Sequence, residues 1–137
     1  MQYWEHFQHS ADIGVRGFGG RLEEAFAQSA VALTAIITEP NRVRPQLAVK
    51  ISCHCGNVDL LLMEWLNALI FEMSVRKMLF ARFDVEIRNG DLLATAWGED
   101  IDIERHQPAV EPKGATLTEL KVRETDHGWL AQCVIDV

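Results

Sequence analysis

The chain has 137 residues, 48% apolar and 24% charged, with a formal charge of −7. That length supports a single domain over residues 1–137 with its own core, and no apolar run approaches the ~20 residues that cross a bilayer. The acidic balance disfavours direct, tight nucleic-acid binding, which depends on Lys and Arg neutralising phosphates; it suits a solvated surface, a cation site or docking to a basic protein.

The N-terminus, Met1-Gln2-Tyr3-Trp4-Glu5, lacks the basic-then-apolar layout of a signal peptide, so a cytoplasmic location is expected. Residues 2–8 alternate loosely and read as a strand, and Ile13 to Phe18 reads as a second. Residues 9–12 then form the connection. Gly17-Phe18-Gly19-Gly20 leads into the clearest helix, Arg21 to Thr38, whose apolar positions Leu22, Ala25, Phe26, Leu33 and Ile36 recur at helical spacing. Glu23 and Glu24 suit its first turn, and Pro40 stops it.

Leu47 to Cys55 alternates as a half-buried strand. It carries Cys53-His54-Cys55, a possible zinc half-site with no second pair, since only Cys133 remains. An odd cysteine count without a secretory signal favours reduced thiols, read here as small core residues. Asn57 or Asp59 can cap a second helix running to about Arg76, with Trp65 as core and Glu64 and Asn67 as a candidate surface pair. Leu79 to Arg88, the turn Asn89-Gly90 and Asp91 to Trp97 read as a hairpin. Residues 98–114, with Pro108 and Pro112, read as a long loop. Strands from Ala115 to Glu124 and from Trp129 to Asp136 follow, joined at Asp126-His127-Gly128. The order β-β-α-β-α-β-β-β-β predicts an α+β fold: a two-layer sandwich with two helices packed on a mostly antiparallel β-sheet.

Three groups carry candidate chemistry. Asp12 lies in the tight connection His9-Ser10-Ala11-Asp12, where it can serve as an oxygen ligand for a hard cation or as a turn residue bonding its own backbone. The sequence stops at Ile135-Asp136-Val137, which sets Asp136 beside the α-carboxylate of Val137 at the end of an apolar strand. His9, next to Asp12, suits orienting the turn. The 98–114 stretch supplies Glu99, His106 and Lys113, the last held between Pro112 and Gly114. No P-loop, nucleophile elbow, zincin or dinucleotide fingerprint is present. An enzyme built on these residues would be a small metal-dependent hydrolase.

These stretches together resemble the archease family. The likeness runs through His9-Ser10-Ala11-Asp12-Ile13-Gly14-Val15, Leu22-Glu23-Glu24-Ala25-Phe26, Leu61-Leu62-Met63-Glu64-Trp65-Leu66-Asn67, Gly98-Glu99, His106, Lys113 and Ile135-Asp136-Val137. The resemblance implies a small α+β accessory protein, not an enzyme, that activates a tRNA-splicing RNA ligase of the RtcB type by promoting its metal-dependent guanylylation and multiple turnover. It also implies, for some members, a chaperone role toward a tRNA methyltransferase. By the same resemblance a divalent cation, Ca²⁺ or Mg²⁺ with Mn²⁺ as a further option, is held by Asp12, Asp136 and Val137. Lys113 then belongs to the activating surface, with His106, Glu99 and His9 as further partner-activating candidates. The chain departs from the family around the lysine: Pro112 and Gly114 stand where Val and Ala are usual, and Ala115-Thr116-Leu117-Thr118 replaces a Thr-Tyr-His run.

Overall fold

The computed structural model describes residues 1–137. Eight strands and three helices follow in the order β1 (Tyr3–His9), β2 (Asp12–Gly19), α1 (Leu22–Ile37), β3 (Leu47–His54), α2 (Val58–Arg76), β4 (Met78–Arg88), β5 (Asp91–Asp100), α3 (Ile103–His106), β6 (Gly114–Ala115), β7 (Lys121–Thr125) and β8 (Gly128–Asp136). A short 3-10 turn at Pro40–Arg42 follows α1. The α+β class read from the sequence holds. No helix is long and apolar enough to cross a membrane.

The strands divide into two antiparallel sheets rather than one. The first runs β1-β2-β8-β6, with β7 also paired to β8; the second runs β3-β5-β4. Helix α1 packs against β2 and β8 of the first sheet and β4 of the second, so it joins the two. The approach to β2 is close. A Cβ on Gly17 would stand 2.2 Å from the Ala25 carbonyl oxygen, so only glycine lets this strand lie on the helix backbone. Thr34, fully buried on α1, donates from Oγ1 to the Phe80 carbonyl at 2.6 Å and ties the helix to β4. Trp65 on α2 donates from Nε1 to the Phe26 carbonyl at 3.0 Å, which locks the long helices together. One continuous cluster of buried side chains, including Phe26, Leu33, Trp65, Leu66 and Phe80, results.

Local signals explain the boundaries. Glu24 Oε1 accepts the Arg21 N–H at 3.0 Å at the start of α1. Asn57 Oδ1 accepts the Leu60 N–H at 3.1 Å at the start of α2, the capping role that Asp59 does not take. Lys77 ends α2 in the left-handed region. The expected strand over 115–124 is broken. Thr116 turns the chain by donating from Oγ1 to the Val134 carbonyl while accepting the Thr118 N–H, and Leu117 is left exposed between β6 and β7. The expected loop at 98–114 is shorter, because β5 continues to Asp100 and α3 starts at once, capped by Asp102.

Candidate cation site at a strand-end corner

The two-residue turn Ser10-Ala11 pairs His9 with Asp12 across β1 and β2, with Ser10 at φ 55°. β2 pairs in turn with β8, Ile13 against Ile135, and β6 pairs with β8, Gly114 against Asp136. One step beyond the Ile13–Ile135 pair, this register sets Asp12 opposite Asp136. Ile13, Val15, Cys133 and Ile135 face the core, so alternation puts His9, Asp12 and Asp136 together on the outer face of the sheet.

Asp12 Oδ1 accepts the Val137 N–H at 3.4 Å, a long bond. The Lys113 N–H donates to the Asp136 carbonyl at 2.8 Å, which brings the exposed lysine to the same corner. Neither aspartate takes part in an ion pair. Arg16, the nearest cation along β2 on this face, is committed elsewhere. It bonds Glu5 at 2.8 Å and Gln132 at 2.7 Å, and it lies 4.2 Å from the Phe7 ring centroid. Two cross-strand carboxylates therefore lie opposite each other without an ion-pair partner, an arrangement that is mildly repulsive by itself.

The donor set is all oxygen, which suits a hard cation. It is also small, since no three His, Cys, Asp or Glu side chains form a cluster anywhere in the chain. A dedicated Ca²⁺ cage takes six to eight oxygens, whereas Mg²⁺ is commonly held by one or two carboxylates with its other positions filled by water or phosphate. Asp12 and Asp136 fit the second pattern better.

Glu99 and His106 do not join this corner. Both are buried, and they bond each other: His106 Nε2 donates to Glu99 Oε2 at 2.9 Å. The Asp102 N–H donates to His106 Nδ1 at 2.9 Å, which fixes the neutral tautomer with its proton on Nε2. Glu99 Oε2 also accepts from Arg105 Nη1 at 2.7 Å and from the Arg44 N–H at 2.8 Å. The Arg105 guanidinium foremost, together with these other donors, holds the Glu99 carboxyl down at about 2 against the opposing effect of burial. Thr38 Oγ1 donates to the His106 carbonyl at 2.6 Å and the Ala109 N–H to the Ile37 carbonyl at 2.8 Å. The cluster thus fastens the 101–109 segment to the end of α1, and neither side chain is open to a partner's surface.

Two residues on α2 do work that sequence reasoning assigned differently. Asn67, read as half of a surface pair, turns inward, and its Oδ1 accepts the Ala115 N–H at 2.8 Å. Asp59 Oδ1 accepts the Val122 N–H at 2.7 Å. The available signal was a pair of side-chain acceptors set among apolar helix positions. Cys133 is buried and its thiol is pushed up to about 11 by desolvation, while Cys53 and Cys55 lie half-buried against the core.

The model of the Archease protein family matches residues 4–137. This chain belongs to the archease family. Archease proteins from Pyrococcus abyssi and Pyrococcus furiosus are 35% and 34% identical to it, each over the whole of both chains. The solution structure of protein 1598 from Methanobacterium thermoautotrophicum superposes with a TM-score of 0.84 at 29% identity, covering 98% of each chain. The crystal structure of an archease, described as a possible chaperone, from Thermotoga maritima shares the fold, with a TM-score of 0.64 at 16% identity over 97% of this chain and 96% of that one.

Proposed function

We propose that this archease is a cation-binding accessory protein that activates a tRNA-splicing RNA ligase of the RtcB type by promoting its guanylylation. The observation that carries the reading is the pair of opposed, uncompensated carboxylates, Asp12 and Asp136, beside an exposed lysine. Asp12 and Asp136, with Val137 beside them, would hold Mg²⁺, Mn²⁺ or Ca²⁺. Bound there, such an ion supplies positive charge that can be shared with phosphate or carboxylate oxygens of a partner. The two aspartates orient these donors from adjacent strands. Lys113 adds an exposed positive charge at the rim. The net charge of −7 suits docking to a basic protein face.

The test is single-turnover formation of the guanylylated ligase from labelled GTP, with and without this protein at fixed divalent cation. Wild-type protein accelerates the step, and Asp12→Asn and Asp136→Asn lose most of the acceleration. An unchanged rate with the wild-type chain overturns the reading. A second reading, drawn from the family resemblance, is a chaperone with a tRNA methyltransferase as client. Suppression of methyltransferase aggregation that survives Asp12→Asn would favour it.

A further inference from the structure

We propose that Asn67 is a positioning residue for the Lys113–Asp136 corner: it fixes the β6 edge from outside the sheet and touches no partner itself. The inference rests on the ligase-activator reading for what Lys113 does, but not for what Asn67 does.

β6 is only two residues long, paired to β8 on one side. Around it, the Lys113 and Thr116 N–H groups donate to the Asp136 and Val134 carbonyls at 2.8 and 3.0 Å. The intervening Ala115 N–H points the opposite way, toward what would be an open sheet edge, where an unpaired buried donor is costly. Asn67 Oδ1 meets it at 2.8 Å. The same oxygen lies 3.4 Å from where a Cβ on Gly114 would stand, so Asn67 is seated directly over the residue that follows Lys113.

An asparagine is a poor choice for the middle of a helix on propensity alone, and its neighbours Trp65, Leu66 and Leu69 are fully buried. Its role is to replace a missing strand. Asp59, eight residues earlier on the same helix, does the same for β7 by accepting the Val122 N–H. The two clamps differ in what they hold. β7 pairs with the Gly128–Gln132 half of β8, away from the corner, whereas β6 pairs with Ile135 and Asp136 themselves. Loss of the Asn67 clamp leaves β6 and Lys113 held only from the β8 side, through the Lys113 and Thr116 N–H bonds and the Thr116 hydroxyl.

The experiment compares Asn67→Ala, Asn67→Asp and Asp59→Ala in the full chain, with stability measured for each. Backbone amide exchange at residues 113 and 115 and ligase guanylylation are the readouts. In Asn67→Ala, the Lys113 and Ala115 amides exchange on the order of tenfold faster, the size expected when one hydrogen bond is lost. Stimulation of the ligase falls roughly tenfold, as for a displaced positioning group. Asn67→Asp, which keeps an acceptor oxygen, restores both. Asp59→Ala loosens Val122 but leaves residue 113 and the stimulation near wild type. Adding Asn67→Ala to Lys113→Ala produces no further loss of stimulation.

Equal losses of stimulation in Asn67→Ala and Asp59→Ala at comparable stability, or unchanged exchange at residues 113 and 115 in Asn67→Ala, overturn the inference. If the wild-type chain leaves guanylylation unchanged, the ligase reading fails, and the exchange measurement alone decides whether Asn67 holds Lys113.

Discussion

The buried Glu99 cluster makes this fold sensitive to acid. A carboxyl held at about 2 instead of its ordinary 4.5 carries about 3 kcal/mol of folding free energy at neutral pH. Arg105, the leading cause, is 31% exposed, so solvent screening reduces the effective figure to about 2 kcal/mol. The sign follows from the lowered folded-state value. The stabilisation is complete above about pH 4.5, where the unfolded carboxyl is also ionised. It is lost as pH falls from there toward 2. Urea unfolding of the wild type and Glu99→Gln at several pH values checks this. At pH 7 the variant is about 2 kcal/mol less stable, and the gap narrows as acid protonates Glu99 in the wild type. A gap that stays constant from pH 7 to pH 2.5 refutes the reasoning, since it would come from packing and not from charge.

Three further outcomes follow from the geometry. Without divalent cation, Asp12→Asn or Asp136→Asn raises stability by roughly 0.2–1 kcal/mol by removing cross-strand repulsion, while calorimetry with Mg²⁺ or Ca²⁺ shows binding to the wild type and lost affinity in either variant. Gly98→Ala would place a Cβ 1.8 Å from the Leu79 carbonyl oxygen, so it forces β4 and β5 apart; thermal unfolding should show a loss of about 3 kcal/mol or more. Cys133, buried and shifted up to about 11, stays unmodified by a thiol reagent at pH 8 in the folded state and reacts only on unfolding, whereas Cys55, partly accessible, reacts first.

The helices and hairpins were legible because their causes are local. Helix α1, expected over Arg21 to Thr38, spans Leu22–Ile37, since its apolar spacing and Pro40 act within a few residues. The turn at Asn89-Gly90 has both residues at positive φ, as the dipeptide predicts. What failed was pairing. Period-two alternation shows which face of a strand is apolar but not which strand lies beside it, so two sheets were read as one. The break at Thr116 depends on a carbonyl of β8, a partner the local sequence does not identify. His106 and Glu99 read as partner-activating candidates in a loop because their burial depends on donors from Arg44, Arg105 and Asp102, which local sequence does not reveal. Asp12 and Asp136 were legible as candidates one at a time. Their opposition across β2 and β8 is a long-range fact of register.

The corner's charge pattern is maintained by what surrounds it. Arg16 shares the outer face of β2 with Asp12 but lies four residues along the strand, about 13 Å away at ~3.3 Å per residue, beyond ion-pair reach. Arg16 is instead held by three contacts, Glu5, Gln132 and the Phe7 ring, and Phe7 is locked over Gly14, where any Cβ would strike the ring at 2.2 Å. The neighbours of Asp12 and Asp136 at the corner include His9, main-chain groups and Lys113, whose exposed side chain makes no ion pair. Since Asp12, Lys113 and Asp136 come from three separate strand ends, only the folded chain presents them together. A partner that engages all three therefore selects the assembled corner over any single segment of the sequence.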